Sequence, residues 1–465
     1  MELRDFQRMA KEKLSNGYSV IIIAPTGLGK TLAAILPYIE NLDQKNYLRS
    51  RLSIRMIYTL PIRALAKGVQ EELQRFNINA VIHHGDEPES NIFSEKVIIT
   101  TVDQYFAAFA GAPLSWISSV SHAAAGATLV NYTIFDEIHL LSPKNGLQLL
   151  FAILKLRNRW GLPTAVMSAT LPDAVIDFLK DKCKLIKVES SKKDVKNRDS
   201  WRKILLTLHD EEMDINQLSK FIKEKYSEYR RIIIFVNTVD KAINIYSKLK
   251  KDGVSNILLA HSRFAKNDRI RIENEIHKKF GKDSDFEGIL ITTQVAEAGL
   301  NISAPLVITE LSPMDSLVQR IGRCARFKEN GEIIGEVIII RPEIEKDRWY
   351  SPYIDRINII KKGKPFIKIS LGRRKKELRS LTVSEITWAV LINETQGGTK
   401  KLKLNWTKEK ELINLSLNAP YRAFIHGRNY IDVENDLKNS KYESDQKLYD
   451  ILSEEDVMKS LIGGD

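Results

Sequence analysis

The segment APTGLGKT, residues 24–31, narrows what this chain can fold into more than any other stretch. It follows the apolar run YSVIIIA (18–24) and precedes LAAILPYIENL (32–42), which has helical periodicity. A strand that turns through glycines straight into a helix aims several main-chain N–H groups at one point, and such a point cradles phosphate. Pro25, Thr26, Gly27, Leu28 and Gly29 form the cradle, Lys30 is placed to reach β- and γ-phosphate oxygens, and Thr31 to ligate Mg2+. The usual pattern opens on Gly, where this sequence has Ala24.

A metal-bound triphosphate needs an acidic partner at the end of another strand. YTIFDEIHLL (132–141) offers Asp136 to hold the ion and Glu137 to polarise the attacking water. Phosphoryl transfer also builds negative charge on the γ oxygens, which arginines offset. QRIGRCAR (319–326) carries Arg320, Arg323 and Arg326 at every third residue, a spacing that predicts neighbouring faces of a helix.

Short β-branched runs alternate with helical stretches along most of the chain. VIIIA (20–24), RMIYTL (55–60), KVIITT (96–101), YTIFDE (132–137) and AVMSAT (165–170) read as strands of one parallel sheet. RIIIFV (231–236), NILLA (256–260), GILITT (288–293), LVITEL (306–311) and EVIII (336–340) read as a second. The polar run ESSKKDVKNR (189–198) reads as a linker between them. The fold class is therefore α/β, two tandem parallel-sheet domains over residues 1–195 and 196–342. A small, mostly helical accessory domain is expected over 343–465, including the basic stretch 361–379, which suits a solvated face as well as a DNA or partner contact.

Composition fits this picture and excludes others. With 43% hydrophobic and 28% charged residues the chain is globular in type, and no run approaches the roughly 20 apolar residues of a membrane span. Cys183 and Cys324 are too few for a disulfide scaffold, and with no secretory pattern at the N-terminus they point to a reducing cytoplasm. A net charge of +12 permits polyanionic partners without establishing one.

In this order, the motifs resemble those of the superfamily 2 helicases over residues 1 to about 340. The resemblance implies two RecA-like domains with ATP in the cleft between them. It makes LRDFQ, with Arg4 and Gln7, an adenine-reading Q motif, and adds Gly299 and Gln319 to the nucleotide contacts. DEIH (136–139) resembles motif II and SAT (168–170) motif III, while QRIGRCAR resembles motif VI, with Arg323 and Arg326 in the arginine-finger positions. TLPIRALAKGVQEEL (59–73) resembles motif Ia, FVNTVDKA (235–242) motif IV and ITTQVAEAGLNI (291–302) motif V. These imply a nucleic-acid track with Pro61, Arg63, Thr101, Asp103, Thr238, Ser262, Arg263, Thr292 and Thr293 along it. Strand ends rich in Thr and Gly suit sequence-independent phosphate contact.

LLAHSRFAKNDRIRIE (258–273) and TELSPMDSLVQRIGRCAR (309–326) are most similar to the helicase of type I CRISPR interference. That family implies 3′ to 5′ translocation on single-stranded DNA at an R-loop opened by a Cascade-like surveillance complex, with a metal-dependent HD nuclease as partner activity. The sequence starts about two dozen residues before APTGLGKT, and its eight histidines are scattered, with HHGDEP (83–88) expected as a DNA-facing loop. The expectation is a helicase subunit whose HD nuclease is a separate chain. Asn301 stands where the family has Asp, and Ala325 where it commonly has Gly. Two alternatives stay open: another superfamily 2 DNA or RNA helicase, and an ATP-gated module that clamps DNA without unwinding it.

Overall fold

The computed structural model describes residues 3–43, 52–85, 87–88, 95–112, 121–141, 143–209, 213–327, 333–341, 367–370, 378–381, 383–396, 401–425, 431–432 and 437–454. The chain divides into two compact units, Met1–Lys196 and Asn197–Asp465.

The first unit is built on an eight-stranded sheet. Its strands are β1 (Val20–Ile23), β2 (Met56–Leu60), β3 (Val81–His84), β4 (Glu87–Pro88), β5 (Val97–Thr101), β6 (Tyr132–Phe135), β7 (Thr164–Ser168) and β8 (Ile186–Glu189). They lie in the order β4-β3-β5-β2-β6-β7-β1-β8, all parallel except the β3–β4 pair. Every residue of β1, β2, β5, β6 and β7 is buried, as expected of β-branched strands covered by helices on both faces. The edge strand β8 leaves Ile186, Lys187 and Glu189 half-buried. The five strands expected for this unit are present; β3, β4 and β8 add to them.

The second unit holds a seven-stranded sheet. Its strands are β9 (Arg202–His209), β10 (Arg231–Phe235), β11 (Ile257–Ala260), β12 (Gly288–Thr292), β13 (Leu306–Glu310), β14 (Ile333–Ile340) and β17 (Leu402–Leu404), in the order β11-β12-β10-β13-β14-β9-β17. β17 alone runs antiparallel, against β9, so the C-terminal segment extends this sheet. A three-stranded sheet of β15 (Ile367–Ser370), β16 (Leu378–Leu381) and β18 (Ile431–Asp432) accompanies the helices Val383–Thr395, Trp406–Ile425 and Glu443–Ser453. Of the basic stretch, 361–366 and 371–377 lie outside the described residues.

Two local expectations are corrected. Residues 192–201 are the helix Lys192–Trp201, not an irregular linker, because Asp194 is buried and accepts hydrogen bonds from the N–H groups of Asp5 and Ser191 at its start. HHGDEP is an edge hairpin, not a loop: His83 pairs with Pro88 and His84 with Glu87, while Asp86 lies outside the described residues.

Arg157 holds the first unit together from within. It is fully buried and donates to Thr164 Oγ1 (2.8 Å), Tyr105 Oη (3.1 Å) and the carbonyls of Thr128 (2.6 Å), Asn131 (3.0 Å) and Pro163 (3.3 Å). Removing it strands several buried acceptors at once. Arg157→Ala is expected to destabilise the first unit by roughly 3 kcal/mol or more, read as a fall in its urea midpoint. A loss below about 1 kcal/mol would show that water satisfies those carbonyls instead.

Candidate nucleotide and catalytic site

The first unit gathers its polar side chains where parallel strands end. β7 lies between β6 and β1, with Ile23 level with Ser168 and Phe135 level with Val166. That register brings the loop after β1, the acids after β6 and the SAT segment after β7 to one edge, where α/β sheets hold ligands.

The loop after β1 leads directly into the helix Lys30–Asp43. Gly27 and Gly29 take φ values of +79° and +91°, left-handed conformations that suit glycine. A Cβ on Gly29 would also lie 2.7 Å from Gln7 Nε2. Gln7 is buried and donates to Gly29 O at 3.1 Å, while its Oε1 accepts from Arg4 N at 3.0 Å. Arg4 Nη1 donates to Leu28 O at 3.1 Å. Arg4 and Gln7, at the start of the helix Asp5–Ser15, thus hold the loop by the carbonyls of Leu28 and Gly29, while Leu28 N donates within the loop to Pro25 O at 3.3 Å. Lys30, 7% exposed, donates from Nζ to Ala24 O at 3.1 Å.

Asp136 is buried beside Lys30. Its Oδ2 accepts from Tyr58 Oη at 2.6 Å and its Oδ1 from Glu137 N at 2.8 Å. Burial first, and then the Glu137 charge, push its carboxyl up to about 7, against the opposing pull of Lys30. Thr31 hydrogen bonds Glu72, a carboxyl that burial also raises. A hydroxyl and a carboxylate are hard oxygen donors, and a buried carboxylate with a raised pKa is one whose charge a cation stabilises; Thr31 and Asp136 fit magnesium.

Glu137 has φ +47°, so the chain turns sharply after Asp136 and presents both acids. Its Oε2 lies 3.3 Å from His139 Nδ1, which in turn is 3.0 Å from Ser168 Oγ. Ser168 Oγ accepts from Thr170 N at 3.2 Å. His139 Nδ1 thus hydrogen bonds Ser168 of the SAT segment after β7 while lying close to the acid after β6. Tyr58 and His139 carry roles that spacing did not reveal: Tyr58 is one more apolar position in a strand pattern, and His139 one of eight scattered histidines.

In the second unit the arginine segment departs from the expected helix. The helix Met314–Ile321 ends before Arg323, so Arg323 and Arg326 lie in a loop, beyond the reach of helical spacing. Arg320 is fully buried, donating to Glu297 Oε1 (2.8 Å), Thr309 Oγ1 (2.9 Å), Glu310 O (3.0 Å) and Asn237 Oδ1 (3.0 Å). Arg323 is 5% exposed and donates to Ala296 O at 3.1 Å and Glu297 O at 2.5 Å. Arg326 is half-buried, and its main-chain N–H donates to Ser303 Oγ at 2.9 Å. Gln319 is buried, and Gly299 takes φ +87° in the turn after β12.

The expected nucleic-acid residues fall into two groups. Pro61 follows β2, Arg63 is exposed beside Gly85, Thr101 ends β5, and Asp103 is exposed in the helix Val102–Phe109. In the second unit, Ser262 and Arg263 are exposed, Arg263 pairing with Asp240 at 2.5 Å, and Thr238 caps the helix Val239–Lys251 through Lys241 N. Thr292 and Thr293 have buried side chains, and the Thr292 hydroxyl donates to Thr293 O. Their side chains are turned inward, and the Thr293 N–H donates to Ala260 O at 3.3 Å.

Comparison with known proteins places these motifs in a family. Residues 4–178 match the DEAD/DEAH box helicase family, and residues 228–329 match the C-terminal family of the CRISPR-associated nuclease/helicase Cas3. A Methanocaldococcus jannaschii protein assigned as a CRISPR-associated nuclease/helicase Cas3 is 29% identical over 347 residues, covering 67% of this chain and 46% of its own length. The chain thus spans less than half of that relative. The T. fusca Cas3–AMPPNP crystal structure shares the fold, with a TM-score of 0.66 at 17% identity, over 97% of this chain and 55% of that one. A chain of a CRISPR RNA-guided surveillance complex in its pre-nicking state also shares the fold, with a TM-score of 0.60 at 17% identity, over 99% and 52% of the two chains. These matches support a Cas3-type superfamily 2 helicase, a DEAD/DEAH box domain followed by a Cas3-like one.

Proposed function

We propose that this chain is an ATP-driven DNA motor of type I CRISPR interference, moving 3′ to 5′ on single-stranded DNA and unwinding from the displaced strand of an R-loop. The observation that carries this is the constellation of APTGLGKT, Asp136, Glu137, His139 and Ser168 at one sheet edge, in a chain whose residues 228–329 match the Cas3 C-terminal family. A Cascade-like surveillance complex is the proposed recruiter, supported by the fold shared with a chain of such a complex. Cleavage is assigned to a separate HD nuclease chain.

The chemistry follows from the residues. The loop amides between β1 and the helix Lys30–Asp43 bind phosphate, and Lys30 exchanges the Ala24 carbonyl for a phosphate oxygen. Thr31 and Asp136 would hold Mg2+, which when bound neutralises charge on the β and γ oxygens. Glu137 orients the attacking water and takes its proton, with His139 Nδ1 3.3 Å from its carboxylate. Arg326 and Arg323 supply positive charge to the γ-phosphate in the transition state.

ATP hydrolysis is expected to rise mainly with single-stranded DNA when no nucleic acid, single-stranded DNA, duplex DNA and RNA are compared. Stimulation by RNA alone would move the protein to another helicase branch, and ATPase without strand displacement from a 3′ overhang would favour the DNA-clamp alternative. Lys30→Ala abolishes turnover, and Glu137→Gln retains ATP binding while slowing hydrolysis about a hundredfold or more. Wild-type hydrolysis by Glu137→Gln would remove it as the base.

The Asp136 environment gives a pH signature. Its carboxyl titrates near 7 in the folded chain and near 4 when unfolded, so between those values the native state holds a proton the unfolded state has lost. Stability therefore falls as pH rises from about 4 to 7. In nucleotide-free protein with chelator, Asp136→Asn is expected to raise the melting temperature at pH 8, by on the order of 1–3 kcal/mol in stability, and less at pH 5. An equal gain at both pH values would mean that the benefit is packing, not charge.

A further inference from the structure

The loop carrying Arg323 and Arg326 has no helix to fix it, and within it Ala325 sits at φ +45°. A residue with a Cβ adopts that conformation when its surroundings impose it. Part of the constraint is main chain: Ala304 N donates to Arg323 O at 3.1 Å, and Ala325 N to Ala304 O at 2.9 Å. β14 lies directly beneath, since a Cβ on Gly335 would come 2.5 Å from Cys324 Sγ and 2.9 Å from Ala325 Cβ.

The rest comes from two side chains outside the loop. Arg202, at the start of β9, donates from Nη2 to Ile321 O (2.9 Å) and Cys324 O (2.8 Å), and from Nε to Cys324 O and Ala325 O (3.2 Å each). Ser303 Oγ accepts from Arg326 N at 2.9 Å. The Ala325 carbonyl and the Arg326 N–H belong to the same planar peptide. Arg202 holds one edge of that plane and Ser303 the other, and the plane sets the direction in which the Arg326 side chain leaves the backbone.

We propose that Arg202 and Ser303 are positioning residues that aim Arg326 at the γ-phosphate. The proposal rests on the assignment of Arg326 as a transition-state charge. Burial disfavours the Arg202 guanidinium charge, and Glu409, from the helix Trp406–Ile425, is the carboxylate that chiefly offsets this. The C-terminal segment thereby reaches the arginine loop through Glu409 and Arg202.

The test is ATP turnover at saturating DNA, paired with affinity for a fluorescent ADP analogue, for Ser303→Ala, Ser303→Thr, Arg202→Lys, Arg326→Ala and the Ser303→Ala/Arg326→Ala double variant. Ser303→Ala is expected to lower kcat roughly three- to tenfold with KM for ATP and analogue affinity within about twofold of wild type. Ser303→Thr keeps the acceptor and restores kcat. Arg202→Lys, which keeps the charge and loses the planar fork, behaves like Ser303→Ala. In the Arg326→Ala background, Ser303→Ala adds nothing, because what it positions is already gone. Wild-type kcat in Ser303→Ala and Arg202→Lys, or a full further loss in the double variant, overturns the positioning role. A wild-type kcat in Arg326→Ala overturns the assignment of Arg326 itself, and the positioning role with it.

Discussion

Parallel strand pairing buried on both faces is the constraint on which the rest depends. Inside β1, β6 and β7 every position is taken by the core, so a charged side chain there would be desolvated without compensation. The chain can place Lys30, Asp136, Glu137 and Ser168 together because parallel register carries three strands to the same edge before any polar residue is required. The second sheet repeats the arrangement: Asn237 follows β10, Glu297 follows β12, and Glu310 ends β13, the three being joined by Arg320.

That convergence has an electrostatic cost, visible in how each group is held. Asp136 and Glu137 are consecutive acids at a sharp turn, and Lys30 leads the groups that oppose the rise in the Asp136 pKa, ahead of the hydrogen bonds from Tyr58 and Glu137 N. The neighbourhood favours ligands that bring positive charge with them, as a metal–nucleotide complex does. Tyr58 and the Glu137 N–H each satisfy one carboxylate oxygen of Asp136, fixing its plane before any ion arrives. Gln7 and Arg4 do the same for the phosphate loop by occupying the carbonyls of Gly29 and Leu28.

Much of this was legible in the sequence, for a physical reason. Strands such as VIIIA and GILITT are mostly β-branched because both faces are buried, and that pattern is plain; β8 and β9, with residues half-buried along them, carry a weaker one. APTGLGKT and Asp136–Glu137 were legible because their chemistry needs contiguous residues. The Tyr58–Asp136, His139–Ser168 and Arg202–Ala325 contacts join residues 78, 29 and 123 positions apart, and no local pattern encodes such pairs. The arginine triplet misled for the opposite reason. Its spacing of three imitates a helix, but Gly322 lies past the helix end and the segment instead bonds to Ala304 and Ser303.

The basic composition also resolves differently from what net charge suggests. Several arginines here are not available to a polyanion: Arg157 is enclosed by neutral acceptors, Arg320 by Glu297, Asn237 and Thr309, and Arg202 is spent on three carbonyls of one loop. A guanidinium can do this where an ammonium cannot, because its planar fork satisfies several acceptors while remaining charged. Arg326 differs in kind. Its main-chain N–H is held by Ser303 while its side chain is only half-buried, unlike the fully enclosed Arg157 and Arg320. Arginine therefore serves here first as internal scaffold, and Arg202 is the one that fixes the backbone from which Arg326 departs.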